Sequence, residues 1–296
     1  MPYNKTKIHH TENSMEKHLR RLRHARERNP NYREVLDLAE RLLIEKCRAR
    51  DECPAPSRPV DPAKARKNLD EGFPYLLPSD LLAHSSRVGD FFSCLLQCFG
   101  ELNPARCESL KRTTEAKEWG LDRVLGRLLR NELSEKTLEQ DLGPEGNLLF
   151  FFLVQALKPV FENLAGEWRA AVKEMSWKEG FCPFCGGMAG MGEIRTEGRR
   201  FLHCLLCGTE WESPRLQCPY CGNQDQEQHT YFQVEGESEN RVDVCLACRR
   251  YLKTVDSREL EGPLDFEVED YLTLHLDHLA REEGYTRPEK LFIETR

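Results

Sequence analysis

Residues 182–248 read CPFCGGMAGMGEIRTEGRRFLHCLLCGTEWESPRLQCPYCGNQDQEQHTYFQVEGESENRVDVCLAC. Four Cys-x-x-Cys pairs fall in this stretch: Cys182 with Cys185, Cys204 with Cys207, Cys218 with Cys221, and Cys245 with Cys248. Two intervening residues let a tight turn aim both sulfurs at one ion. A glycine follows each of the first three pairs; it tolerates the backbone such a turn needs and lets amide N–H groups approach the sulfurs. Two facing turns complete a tetrahedral four-sulfur site. Eighteen residues separate Cys185 from Cys204 and twenty-three separate Cys221 from Cys245, close to the ribbon spacing of ~15–20. The ten residues between Cys207 and Cys218 read as a linker. The spacing therefore pairs the first two turns around one ion and the last two around another. A nested pairing, second with third and first with fourth, is left open. Four-thiolate sites suit zinc or mononuclear iron.

Outward from the cysteines, the pattern is one of short strands. Residues 192–196, 200–203, 229–234, 241–244 and 251–255 are rich in β-branched and aromatic side chains and are separated by turn residues. Upstream the period is helical. Residues 16–28 and 32–50 place apolar side chains three and four apart, and residues 53–62, with four prolines, read as a linker. Ser79 or Asp80 is expected to cap a helix through Leu102. Further helices are expected over 105–119 and 121–129, after Ser134, and from Pro144, with Pro159 kinking or breaking the last. One more helix is expected from Leu264 to Glu283. The fold class is α+β: a helical bundle over 1–176, metal modules over 177–216 and 217–262, and a C-terminal helix and tail over 263–296. Residues 1–30 and 51–62 are expected to be mobile.

The chain has 296 residues and a net charge of −7. That acidity disfavours a protein whose task is to coat nucleic acid. Residues 1–50 carry a net +6 and residues 256–284 a net −8; the basic start, with Arg20, Arg21, Arg23, Arg26 and Arg28, reads as a solvated helix face. The longest apolar run, Leu148 to Leu157, is ten residues broken only by Gln155, short of the ~20 a membrane span needs. With no apolar stretch after the Arg20-Arg21 pair, the default is a cytoplasmic protein, in which clustered cysteines read as metal ligands rather than disulfides. A thioredoxin-like dithiol would need a βαβ setting that is missing. Cys94 and Cys98, four apart on an apolar helix, read as packing residues. No nucleophile elbow, phosphate loop or His-Glu-x-x-His motif is present. A binding or assembly role, not an enzyme, is the expectation.

The segment His203-Cys204-Leu205-Leu206-Cys207-Gly208-Thr209-Glu210-Trp211 resembles the FdhE family of formate dehydrogenase accessory proteins. The likeness continues through the third pair, through Cys245 to Cys248 with the following Arg249-Arg250-Tyr251-Leu252-Lys253, and into Glu282 to Tyr285. The resemblance implies a cytoplasmic, non-catalytic maturation factor. Such a factor binds the catalytic subunit of a molybdenum- or tungsten-dependent respiratory formate dehydrogenase before its twin-arginine export. It implies rubredoxin-like iron rather than zinc at two sites, with Cys182, Cys185, Cys204, Cys207, Cys218, Cys221, Cys245 and Cys248 as ligands. It also marks His203, Thr209, Glu210 and Trp211 as signature residues for client contact. No role transfers to the basic N-terminal stretch.

Two other readings of the residues stand beside this one. A zinc-ribbon nucleic-acid binder needs a basic ribbon surface, and Arg195, Arg199, Arg200, Arg215 and Arg241 are offset by eight glutamates. A two-iron rubredoxin-like electron-transfer protein needs the same eight thiolates.

Overall fold

The computed structural model describes residues 5–52, 61–77, 85–116, 120–171, 176–260, 262 and 264–293. Helices α1 (Lys5–Arg28), α2 (Arg33–Glu52), α3 (Pro62–Asp70), α4 (Ser85–Leu102), α5 (Pro104–Ala116), α6 (Leu121–Leu129), α7 (Glu135–Leu142) and α8 (Pro144–Ala171) come first. Strands β1 (Met191–Ile194), β2 (Arg200–His203), β3 (Glu210–Ser213), β4 (His229–Phe232), β5 (Asn240–Cys245) and β6 (Arg250–Asp256) follow, then α9 (Phe266–Leu272) and α10 (Leu274–Glu282). The α+β class holds.

The bundle is organised by α8. Its residues Phe152, Leu153, Ala156, Leu157 and Phe161 are fully buried and receive Val88, Phe91, Leu95 and Phe99 from α4. The expected break at Pro159 does not occur: α8 continues to Ala171. Burial of Leu157, Val160 and Phe161 on either side outweighs the one hydrogen bond proline removes. The helix is long and apolar enough to cross a membrane by composition, but 67% of that window is buried inside the protein, so it is a core helix. Ser134 caps α7 in a capping box with Thr137, as expected. The proposed cap at Ser79 or Asp80 lies outside the described residues. α3 has no counterpart in the sequence reading; Asp61 starts it, its carboxylate accepting from Ala63 N at 2.9 Å and Lys64 N at 3.3 Å, with Pro62 favoured in the first turn. Residues 16–28, expected to be mobile, are the second part of α1 and bury Leu19 and Leu22 with Leu36 and Leu43 of α2.

The six strands form one sheet in the order β3-β2-β1-β6-β5-β4. Two antiparallel three-stranded halves, one per module, are joined by parallel pairing of β1 with β6, Gly192 opposite Thr254 and Ile194 opposite Asp256. Gly192 permits the joint: a Cβ there would lie 2.5 Å from Thr254 Oγ1. Strand β3 falls in the stretch expected to be a linker. Only Trp211 and Ser213 of its four residues face inward, too short an alternation to read as a strand.

The expected terminal helix is two helices, parted at Thr273. There the backbone leaves the helical region, and the Thr273 carbonyl accepts from buried Lys253 Nζ at 3.3 Å. Two buried ionic networks fix this segment. Glu267 accepts from Lys158 Nζ at 2.6 Å and from Lys46, which also bonds Glu162 at 2.9 Å. Lys253 bonds Asp277 at 2.6 Å and Asp270 at 2.9 Å, and Arg287 closes on both aspartates.

Candidate metal centres

The four cysteine pairs sit in four turns with one backbone pattern. In each, the residue after the second cysteine donates its N–H to the carbonyl of the first at 2.9 Å: Gly186 to Cys182, Gly208 to Cys204, Gly222 to Cys218 and Arg249 to Cys245. Its φ is positive every time, 70°, 67°, 73° and 57°, which is why glycine fills three of the four. The first turn precedes β1 and the second joins β2 to β3; the third precedes β4 and the fourth joins β5 to β6.

Sheet geometry brings the first turn against the second and the third against the fourth. The Sγ atoms of Cys182 and Cys207 are 3.5 Å apart, and Cys185 lies 3.6 Å from both Cys204 and Cys207. In the other cluster Cys218 and Cys248 are 3.7 Å apart and Cys221 and Cys245 3.8 Å. Metal–sulfur bonds of ~2.3 Å place tetrahedral sulfurs ~3.8 Å apart. The nested pairing is therefore not the one adopted. The spacing is far beyond the ~2.05 Å of a disulfide.

The residues present fit a thiophilic ion. Gly187 packs so closely that a Cβ there would sit 3.2 Å from both Cys185 and Cys204 sulfurs. Thr209 Oγ1 lies 3.2 Å from Cys207 Sγ and accepts from its thiol. Burial pushes the Cys182 and Cys185 thiols well above their usual range, while hydrogen bonds from Cys182, Cys185 and Cys207 pull Cys204 well below it. Four thiolates in so dry a pocket need a cation among them.

The two clusters differ in setting. All four cysteines of the first are buried, within the same apolar core as the bundle. Its first turn is bonded to the stretch after α3: Tyr75 N donates to Pro183 O at 2.9 Å and Leu76 N to Phe184 O at 2.7 Å. Phe184 packs on Trp168 of α8, ring centroids 5.6 Å apart, and Arg169 Nη2 donates to Cys207 O at 2.7 Å. In the second cluster Cys221 is exposed and Cys248 half-buried.

The four signature residues surround two cavities. Thr209, Glu210 and Trp211 line a cleft of about 1020 Å³ between the end of α8 and the outer edge of the sheet, with Trp168, Trp177 and Arg215. Trp211 is held by donating Nε1 to Glu179 O at 3.0 Å. His203 and Glu210 line a second cavity of about 550 Å³. There His203 Nε2 meets Glu193 at 2.9 Å and its ring stacks on Phe266 at 3.5 Å. Burial lowers the pKa of His203. Burial opposes the charge of Glu193, but bonds from His203, Arg195 and Ser257 hold its carboxyl down at about 2. Sequence reasoning missed Glu193 and Arg195, which bridge β1 to Glu210; only the register of β1 on β2, Gly192 opposite Leu202, places them beside His203.

A sequence model of the FdhE central domain matches residues 181–215. An FdhE homologue of Aquifex aeolicus is 30% identical over 155 residues, 51% of this chain and 54% of that protein. One from Pseudomonas aeruginosa is 28% identical over 246 residues, 77% of this chain and 74% of that protein. The match thus spans about half the length of the Aquifex relative. The crystal structure of the FdhE protein from Pseudomonas aeruginosa superposes with a TM-score of 0.68 at 26% identity, covering 95% of this chain and 96% of that one.

Proposed function

This chain belongs to the FdhE family, and from that premise we propose that it is a cytoplasmic, non-catalytic maturation factor for a respiratory formate dehydrogenase. In this reading it binds the enzyme's catalytic subunit before export. The observation that carries the proposal is the whole-chain likeness to the Pseudomonas FdhE structure, combined with two clusters of four cysteines. We assign the eight cysteines as ligands of two metal ions, iron in preference to zinc as the family resemblance implies. An ion bonded to four thiolates has no open position for a substrate, so the metals serve architecture or electron transfer rather than hydrolysis. The helical half, both metal modules and the C-terminal segment act as one binding body, since the first cluster is embedded in the core of the bundle.

The client contact is assigned to the cleft lined by Thr209, Glu210 and Trp211, with His203 behind it. Its wall is mixed in charge: Arg199 is paired with Glu212, and Glu210 with Arg195 of the adjoining cavity, which suits a folded protein surface better than a phosphate backbone. The experiment is oxygen-free co-purification of the chain with the host's formate dehydrogenase catalytic subunit. Capture by the native chain that is lost in Trp211→Ala, with the metal content unchanged, supports the assignment. Absence of capture by the native chain overturns it and favours the electron-transfer reading, whose mark is bleaching of an iron–thiolate absorption band on reduction.

A further inference from the structure

We propose a third metal site, on the seam between α2 and α4, formed by Glu45, Cys94 and Cys98 and suited to a thiophilic divalent cation such as zinc. The sequence assigns these cysteines to packing, but both are half-buried rather than core. A spacing of four puts them on one face of α4, one turn apart. The packing of α2 on α4 brings Glu45 over them. Its Oε2 lies 3.7 Å from Cys94 Sγ, and the three donor atoms lie within 4.8 Å of one another. Arg48 bonds the other carboxylate oxygen at 2.8 Å, which fixes the carboxylate with Oε2 toward the sulfurs. The pair Arg41–Glu101, at 2.7 Å, clamps the same two helices nearby.

The chemistry differs from that of the four-thiolate clusters. Two sulfurs and one oxygen leave the fourth position of a tetrahedral ion to water, the arrangement of an exchangeable site rather than a closed structural one. Burial, and after it the negative charge of Glu45, raises Cys98; burial, with Cys98 and Glu45 beside it, raises Cys94 to about 11, so the resting residues carry protons. Binding is a ligand exchange without redox change: the hydrated cation gives up all but one of its waters, two sulfur–metal bonds and one oxygen–metal bond form, and the two thiol protons pass to solvent. A hydrogen bond from Cys94 to Glu45 satisfies one thiol when no ion is bound.

The test uses the full-length chain, reduced and oxygen-free, whatever fills the other clusters. Cysteine alkylation is mapped by peptide mass spectrometry with and without zinc. Zinc should slow labelling of Cys94 and Cys98 about tenfold or more, since the ion occupies the nucleophilic sulfurs, and leave Cys47, also half-buried, unchanged. Glu45→Gln should remove most of that protection. Bound zinc in the Cys94→Ser Cys98→Ser variant should fall by about one ion per chain, with its melting curve intact. Labelling of Cys94 and Cys98 that is indifferent to zinc overturns the proposal, as does an undiminished zinc count in the double variant. Because the readout is specific to these residues, it is independent of whether the eight-cysteine assignment holds.

Discussion

Arg249 Nη2 donates to the carbonyl oxygen of Glu283 at 2.8 Å, and this bond ties the fourth cysteine turn to the C-terminal segment. Arg249 stands where the other turns carry glycine, at a φ of 57°, a conformation that costs a side-chain-bearing residue ~1–2 kcal/mol. Its guanidinium also lies 4.1 Å from the centre of the Tyr285 ring. Thr286 N donates to Arg249 O at 3.0 Å, and Tyr251 N to Thr286 O at 3.2 Å. The Glu-Glu-Gly-Tyr segment is therefore the clasp on the second cluster. Gly284 belongs to it: its φ is 77°, and a Cβ there would meet Arg249 Nη2 at 2.9 Å.

If Arg249 is retained for this clasp, Arg249→Ala keeps the strained backbone and loses the anchor. It should destabilise the protein by ~1–2 kcal/mol, the size of one charged hydrogen bond and a cation–π contact. Arg249→Gly relieves the strain while losing the same anchor and should cost less. Denaturant unfolding of both variants checks the order. Equal losses would mean that the backbone strain is not felt.

The unequal exposure of the two clusters predicts unequal lability. A chromogenic chelator should withdraw metal in two phases, the fast one from the cluster containing exposed Cys221. Cys221→Ser should abolish the fast phase. Cys204→Ser should remove the slow phase and, because the first cluster shares the bundle's core, lower the melting temperature of the helical half as well. Retention of a normal helical transition in Cys204→Ser would separate the cluster from that core.

The Glu267 network predicts an acid transition. Although burial disfavours its charge, Lys158 and Lys46 hold the Glu267 carboxyl at about 2 against an ordinary 4.5. A depressed carboxylate contributes its stability fully above the unfolded value and loses it as pH falls. The contribution, on the order of 3 kcal/mol, should fade between about pH 4.5 and 2. Glu267→Gln leaves Lys158 buried without its carboxylate and should cost ~3–5 kcal/mol at neutral pH. Melting temperature against pH, native and variant, should show the variant's acid slope flattened over that interval.

The joint between the two halves of the sheet is equally specific. Gly192→Ala puts a methyl carbon 2.5 Å from Thr254 Oγ1 and 3.1 Å from Leu252 Cδ2. The cost should reach ~1–3 kcal/mol, as for overpacking. Amide exchange should speed up in β1 and β6 before it does in β2 or β5.

The eight cysteines, their pairing and most helices were legible in the sequence, because the chemistry imposes short spacings and helices impose a period. The union of the two modules was not, since it rests on strands sixty residues apart meeting in parallel, with a single glycine as the local sign. Strand β3 was hidden by its length, and the break at Thr273 by a helical pattern that continues on both sides while Lys253 draws the intervening carbonyl aside. The surroundings of His203 were hidden too: Glu193 reaches it from β1 and is itself held by Ser257, the residue just after β6, and only the register of the sheet assembles them.

The most direct measurement is metal content with X-ray absorption on chain purified without oxygen. Once the exchangeable site at Glu45, Cys94 and Cys98 has been emptied by dialysis, the account predicts about two ions per chain, each with about four sulfur neighbours, at ~2.3 Å for zinc or close to it for iron. It also predicts about one ion after Cys204→Ser or Cys221→Ser. Fewer sulfur neighbours per ion, or a native chain that carries no metal with its cysteines joined as disulfides, would contradict it.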